Sequence, residues 1–199
     1  MKKLLIFDFD GVLEDTFDWN FEVASNRYAN LDKEDYRNWF DGNIYEHPRV
    51  KAAGPLNVIT YFEEYKKGFI QRKIKEEFSS MLLNLKSKYH LVIISSIDDD
   101  IINPYLKRNK IDHFFDEVWG IKRKTSKVEK FKDFLSLYKI DKDHCLFITD
   151  TLGDIKEANK VGIKSIGVTW GYQSRKSLKK GKPIKIVDSI EELESYLLS

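Results

Sequence analysis

Hydrophobic positions fall into short, nearly continuous runs rich in Ile, Val and Phe, at residues 4–7, 91–94, 145–148, 163–168 and 184–187. Each run is too short for a helix and lacks the alternation of a half-exposed strand, the pattern expected of parallel strands covered on both faces. Between them, apolar positions recur at helical spacing over 101–107, 127–138, 155–161 and 190–198. This order of strand and helix predicts an α/β fold, a doubly wound and mostly parallel sheet. About 80 residues separate the first run from the second, far more than a crossover helix requires. That gap reads as helical over 19–31, 33–40 and 56–86, interrupted by the turn-prone Asp41-Gly42-Asn43 and Gly54-Pro55. The predicted organisation is a core of residues 1–14 and 87–199 with a small all-helical cap, residues 15–86, inserted after the first strand. The aromatic residues crowded into the gap, Trp19, Tyr28, Tyr36, Trp39 and Tyr61 among them, read as packing of the cap.

Composition narrows the function classes. The 199 residues carry 34 basic against 32 acidic side chains, a net charge of +2, which argues against a general attraction to nucleic acid. The charges are uneven: 14–50 is acidic, whereas 175–185 holds bases and no acid and reads as a solvated loop. Hydrophobic residues at 42% argue for a packed globular protein, not a disordered one. The single cysteine, Cys145, sits inside an apolar run and reads as a small buried hydrophobe. The start, Met1-Lys2-Lys3, looks like a leader, but its apolar run stops at Phe7, short of the roughly 7 to 15 residues a signal segment needs. The expectation is a cytoplasmic protein without membrane or nucleic-acid partners, a monomer or homodimer.

In open parallel sheets, ligands bind outside the carboxyl ends of the strands. Asp8, Asp10 and Gly11 follow the first run, Ser95 and Ser96 the second, and Thr149, Asp150 and Asp154 the third. Lys124 or Lys127 opens the helix before that third run. With 18 aspartates in the chain, the two- and four-residue spacings recur by chance, as at Asp98/Asp100 and Asp112/Asp116. Spacing therefore carries no weight; joint placement does. Each residue also has a plainer role available: Asp10-Gly11 suits a turn, and Asp150, Thr151 or Ser95 suits a helix cap. Carboxylates converging on one sheet edge, however, repel by several kcal/mol unless a cation sits among them. Hard oxygen ligands without His or Cys point to Mg²⁺.

The segment Leu5-Ile-Phe-Asp8-Phe-Asp10-Gly11-Val-Leu13, Ser95 after a strand, a lysine before the next motif, and Thr149-Asp150-Thr-Leu-Gly-Asp154 resemble the four motifs of the haloacid dehalogenase superfamily. Gly167-Val-Thr-Trp-Gly-Tyr172 and Ile186-Val-Asp-Ser189 look like its phosphoglycolate-phosphatase branch, and the insertion resembles a helical cap of that superfamily's first class. The resemblance implies a Rossmann-like core and a role for each matched residue. Asp8 would be the nucleophile that forms an aspartyl-phosphate, and Asp10 the acid and then the base. The backbone carbonyl of Asp10 would also ligate the metal. Ser95 would hydrogen-bond the phosphoryl group, and a lysine would neutralise it; Lys127 is favoured over Lys124 because Ser126-Lys127 opens the helix. Asp8, Asp10, Asp150 and Asp154 would serve Mg²⁺, with Asp154 either binding it or supporting the site from behind.

The presence of Asp10, Asp150 and Asp154 disfavours a dehalogenase, which needs neither acid nor metal. A phosphonate hydrolase would need a Schiff-base lysine in the cap, and nothing marks out Lys51. The function implied is a Mg²⁺-dependent phosphatase acting on a small, anionic phosphorylated metabolite. A phosphomutase and a non-catalytic phosphate- or partner-binding protein are the alternatives. Substrate contacts are expected from Gly11 and Ser96, from Trp19 and Asn20 near the first hinge, and from Arg49, an arginine suited to a carboxylate or second phosphate.

Overall fold

All five apolar runs supply strands of one parallel sheet. The computed structural model describes residues 3–199, so Met1 and Lys2 of the leader-like start lie outside the described residues. In chain order, β1 (Lys3–Phe7) is followed by α1 (Phe17–Ser25), α2 (Lys33–Asn38), α3 (Pro48–Lys67) and α4 (Glu76–Lys88). Next come β2 (Tyr89–Ile94), α5 (Asp99–Arg108), β3 (Glu117–Trp119), α6 (Lys127–Tyr138) and β4 (Cys145–Thr149). The chain finishes with α7 (Leu152–Val161), β5 (Lys164–Val168), α8 (Arg175–Lys179), β6 (Lys185–Val187) and α9 (Ile190–Leu198). The sheet order is β3-β2-β1-β4-β5-β6, with every neighbouring pair parallel.

Leu5 at the centre of β1 stands opposite Leu91 of β2 and Leu146 of β4. One face of the sheet buries Leu5, Phe7 and Ile93 against Met81 and Leu85 of α4 and Leu193 of α9. The other buries Leu4, Ile6 and Phe147 against Phe131 and Phe134 of α6 and Ala158 of α7. Helices on both faces are the reason the strand runs show no polar alternation. Cys145 is buried in the second layer, where burial pushes its thiol up to about 12. β1 pairs with β2 on one side and β4 on the other, so it sits where the strand order reverses, and a crevice opens at the carboxyl ends of β1 and β4.

Three local expectations need correction. β3 has no counterpart among the apolar runs, because it is a three-residue strand, Glu117-Val118-Trp119, held by pairing with β2. The helical stretch expected over 56–86 is two helices: α3 begins earlier, at Pro48, and ends at Lys67, and α4 is separate. Gly54 does break the pattern, with φ 77° and ψ 173° inside α3. α4 lies against β2 and α9, whereas the first three helices gather around Phe17, Tyr36, Trp39 and Val50 together with Tyr172. The helix expected over 19–31 is the shorter α1, which stops at Ser25. Asp98 caps α5 by accepting a bond from the Asp100 amide at 2.8 Å, and Lys122 neutralises the acid run there. Among the described residues, no helix is long and apolar enough to cross a membrane.

Candidate active site

Asp8 directly follows β1, and its N–H continues the ladder by donating to the Ile148 carbonyl at 2.9 Å. This fixes the side chain at the sheet edge, where Oδ1 accepts from the Phe9 amide at 2.8 Å and Oδ2 meets Lys127 Nζ at 2.8 Å. The same ammonium lies 2.5 Å from Asp154 Oδ2, which also accepts from Thr149 Oγ1 at 2.8 Å. Lys127 is the first residue of α6, and Glu157 holds that helix start. Glu157 Oε1 accepts from the Lys127 amide at 3.1 Å, from Ser126 Oγ at 3.2 Å and from Asn43 Nδ2, across the cap, at 3.2 Å. Lys124 is elsewhere, on the surface and 3.9 Å from Glu129. Thr151 caps α7 by accepting from the Asp154 amide at 3.4 Å, which orients Asp154 toward the crevice.

Asp10 faces the cap, where its Oδ1 accepts from Tyr65 Oη at 2.8 Å. Gly11 adopts φ 72°, and a Cβ there would stand 1.9 Å from Asp150 Oδ2; one on Gly171 would stand 2.2 Å from the same oxygen. Two glycines therefore let the backbone close on this carboxylate. Asp150 Oδ2 accepts from the Tyr172 amide at 2.6 Å, whereas its Oδ1 is buried with no partner.

Electrostatics follow from one ammonium among several carboxylates. Burial raises Asp8 well above the usual range, Lys127 opposes this, and the charge of Asp154 adds to it. Burial pushes Asp150 up to about 8 against the Tyr172 amide bond. Burial carries Asp10 to about 6, opposed by hydrogen bonds from Tyr65 and Thr16. Burial also acts on Asp154, but Lys127 and the hydrogen bonds around it win and hold it low. Lys127 is itself raised, since Asp154 and Asp8 outweigh the burial that lowers it.

This donor set fits a hard divalent cation. The buried, unpartnered Asp150 Oδ1 and the unneutralised negative charge both call for one. No group of three or more Asp, Glu, His or Cys among the described residues is arranged to hold an ion by side chains alone. A metal held by one or two carboxylates, a backbone carbonyl and water is the habit of Mg²⁺. Asp154 Oδ2 already serves Lys127 and Thr149, which puts it in a supporting position.

Above Asp8 lies a cavity whose walls include Ser95, Ser96 and Asn20. Ser95 Oγ accepts from the Ile97 amide at 3.4 Å, and the Ser95 carbonyl receives the buried Lys130 ammonium. The Ser96 carbonyl receives the Tyr45 hydroxyl from the cap. Asn20 Nδ2 donates to the Tyr172 hydroxyl at 2.5 Å. Three expected substrate contacts stand apart from these walls: Gly11, which packs on Asp150 and Tyr172, and Trp19 and Arg49. Trp19 instead supports Tyr65, donating from Nε1 to its carbonyl at 3.0 Å. Arg49 donates to the Ala29 carbonyl at 2.6 Å and lies over the Tyr28 and Trp39 rings, at 5.6 and 5.5 Å. Its guanidinium holds the cap together, which leaves the expected carboxylate-binding arginine without support. Sequence reasoning passed over Tyr65, Glu157 and Lys130. Glu157 alone had a local signal, since it lies three residues after Asp154 on α7 and so on the same helix face.

The fold has close counterparts. A solved haloacid dehalogenase-like family hydrolase from Streptococcus pneumoniae superposes with a TM-score of 0.79 at 23% identity over 98% of each chain. A phosphoglycolate phosphatase from Synechococcus elongatus is 24% identical over 96% of this chain and 95% of its own length. A pyrophosphatase PpaX from Bacillus mycoides is 22% identical over 95% of this chain and 94% of its own. The family description "Haloacid dehalogenase-like hydrolase" matches residues 5–168, most of the chain and all of the motif residues, and the protein belongs to that family.

Proposed function

We propose that this hydrolase is a Mg²⁺-dependent phosphomonoesterase that works on a small phosphorylated metabolite through an aspartyl-phosphate on Asp8. The observation that carries the reading is the Lys127 ammonium set between Asp8 and Asp154 at the reversal point of the sheet. Names of relatives, phosphoglycolate phosphatase and pyrophosphatase, support phosphate as the group transferred.

The Asp8 carboxylate attacks phosphorus as the bond to the ester oxygen breaks, and Asp10 gives its proton to the departing alkoxide. Asp10 then takes a proton from water, whose oxygen attacks phosphorus and returns Asp8 as a carboxylate with release of phosphate. An Asp10 held near pH 6 is suited to both transfers. Lys127 and the Ser95 hydroxyl stabilise charge on the phosphoryl oxygens. Asp8, Asp150 and the Asp10 carbonyl would hold Mg²⁺, which would supply the remaining positive charge. The cap excludes bulk water, latched by Arg37 Nε on the Tyr172 carbonyl at 3.0 Å and by Gln173 Nε2 on Asp41 at 2.8 Å. In this reading the cap proper is the unit of α1 to α3, because α4 packs on the sheet. A reducing cytoplasm suits the buried, unpaired Cys145.

Water is favoured over a sugar hydroxyl as the second attacker, because a phosphomutase must seat a second phosphate and Lys127 is the one basic residue in the cavity wall among the described residues. Asp8→Asn should abolish hydrolysis of an aryl phosphate while leaving the circular dichroism spectrum unchanged. Retained turnover would remove Asp8 as nucleophile.

A further inference from the structure

The walls above Asp8 are mostly aromatic and apolar, with Tyr28, Tyr36, Trp39, Phe40, Tyr45 and Tyr61 contributed by the cap. Charge in that wall is one-sided. Asp8, Asp10, Asp154 and Glu157 face the cavity, and the one basic wall residue among the described residues, Lys127, already lies between Asp8 and Asp154. The bases of the cap lie outside that wall, and five of them are engaged elsewhere. Arg27 pairs with Glu64 at 2.7 Å, Lys33 with Asp18 at 2.6 Å, and Lys51 with Glu46. Arg37 lies 3.9 Å from the Phe17 ring centre and donates to the Tyr172 carbonyl, while Arg49 is held on Ala29. A carboxylate or second phosphate on the organic part of a substrate would be desolvated among rings and acids with no cation to meet it. Burying such a charge unpaired costs several kcal/mol.

The uncharged polar side chains of the wall are hydroxyls and amides. Asn20 is 6% exposed, and its Oδ1 is buried without a partner while its Nδ2 is committed to Tyr172. An orphaned acceptor in the wall of a ligand cavity asks for an O–H or N–H on the ligand. Asn57, also in the wall, has its Oδ1 3.4 Å from the Tyr28 hydroxyl.

We infer that the organic part of the substrate is an uncharged, ring-bearing alcohol with at least one hydrogen-bond donor, such as a nucleoside, and not a small carboxylic acid or a second phosphate. The wall rings and an amide recognise the planar part, while the carboxylates and Lys127 are reserved for the phosphoryl group and its cation. The assignment rests on the phosphatase reading of the same site, and it replaces the anionic metabolite expected from the sequence.

The test measures kcat/KM with Mg²⁺ for uridine monophosphate, benzyl phosphate, phosphoglycolate and pyrophosphate. The expected result is an advantage of about a hundredfold for the ring-bearing esters over both doubly anionic compounds. Uridine monophosphate against benzyl phosphate separates a nucleoside from a smaller aromatic alcohol. Val58→Lys puts a cation in the same wall and should narrow the gap to phosphoglycolate about tenfold. A wild-type preference for phosphoglycolate or pyrophosphate would overturn the inference. If nothing in the panel is hydrolysed, the phosphatase reading fails, and binding decides separately. Tryptophan fluorescence of Asp8→Asn, or of the wild type in chelator should that variant misfold, should show tighter binding of uridine monophosphate than of phosphoglycolate. Equal, reversed or absent preference there also overturns it.

Discussion

The Tyr65 hydroxyl of α3 donates to Asp10 Oδ1 at 2.8 Å, so the carboxyl proposed as acid and base is held by a helix of the inserted segment. Tyr65 is fully buried, and Trp19 Nε1 in turn holds its carbonyl at 3.0 Å. In the proposed mechanism the cap thus does more than exclude water, because it also orients the proton donor. Tyr65→Phe keeps the ring and removes a hydrogen bond to a charged group worth about 1.5 kcal/mol, so kcat on an aryl phosphate should fall about tenfold. KM should change little, and the melting temperature by only a few degrees. A variant with lowered stability and full kcat would reduce Tyr65 to packing.

Gly11 and Gly171 press on the same oxygen of Asp150 for different backbone reasons. Gly11 has φ 72°, so alanine there meets both backbone strain and a Cβ 1.9 Å from Asp150 Oδ2. Gly171 lies outside the positive-φ set, so alanine there meets the clash at 2.2 Å alone. Gly54 has φ 77° with open space around it, and alanine there meets the strain alone. Urea denaturation should rank Gly11→Ala as the most damaging, with Gly54→Ala losing about 1–3 kcal/mol. Isothermal titration should find Mg²⁺ binding weakened in the Gly11 and Gly171 variants and intact in Gly54→Ala. Weakened binding in Gly54→Ala would show that the clash with Asp150 is not the cause.

Much of this arrangement was legible in the chain because β1, β2 and β4 are buried on both faces, and their unbroken apolar runs show where each strand ends. Asp8, Ser95 and Asp150 could then be singled out by position, since each directly follows one of these strands. What the sequence hid depends on the cap. Nothing in the spacing of Tyr65 says that α3 brings its hydroxyl to Asp10, 55 residues away in sequence. Arg49 misled because a lone arginine has the chemistry of an anion site, and only packing shows it committed to Ala29 and two rings. β3 was invisible because two apolar residues make no pattern, and its pairing partner β2 supplies the order.

Asp150 is a carboxylate whose burial is poorly compensated, with Oδ1 unpartnered and burial pushing it up to about 8 in the absence of a cation. Function and stability should therefore oppose each other here. Asp150→Asn keeps the shape and removes the buried charge, and should raise the melting temperature in chelator. Mg²⁺ at a hundred times its Kd should stabilise the wild type by about 2.7 kcal/mol and leave Asp150→Asn unmoved. Thermal unfolding with and without Mg²⁺ measures both. An Asn variant that still gains stability from Mg²⁺ would take Asp150 out of the metal site.

Lys130 is a second buried ammonium, outside the catalytic set. Its Nζ donates to the Ser95 carbonyl and, at 3.2 Å, to the Gly120 carbonyl, tying together the ends of β2 and β3. Burial, helped by the charge of Lys127, lowers it from 10.5 to about 8. A lysine depressed in the folded state binds fewer protons there than when unfolded, so stability must rise with pH between about 8 and 10.5. Below pH 8 both states hold the proton, and the cost of burying the charge is present in full. Urea midpoints of the wild type and Lys130→Met should therefore differ by a constant amount from pH 6 to 7.5. Above pH 8 the wild type should gain on the variant, approaching about 3 kcal/mol near pH 10.5. The tyrosines and surface lysines are common to both proteins and cancel in the difference. A difference that stays flat to pH 10 would mean that the two carbonyls keep the ammonium charged despite its burial, and Lys130 would then be a permanent cation behind Ser95.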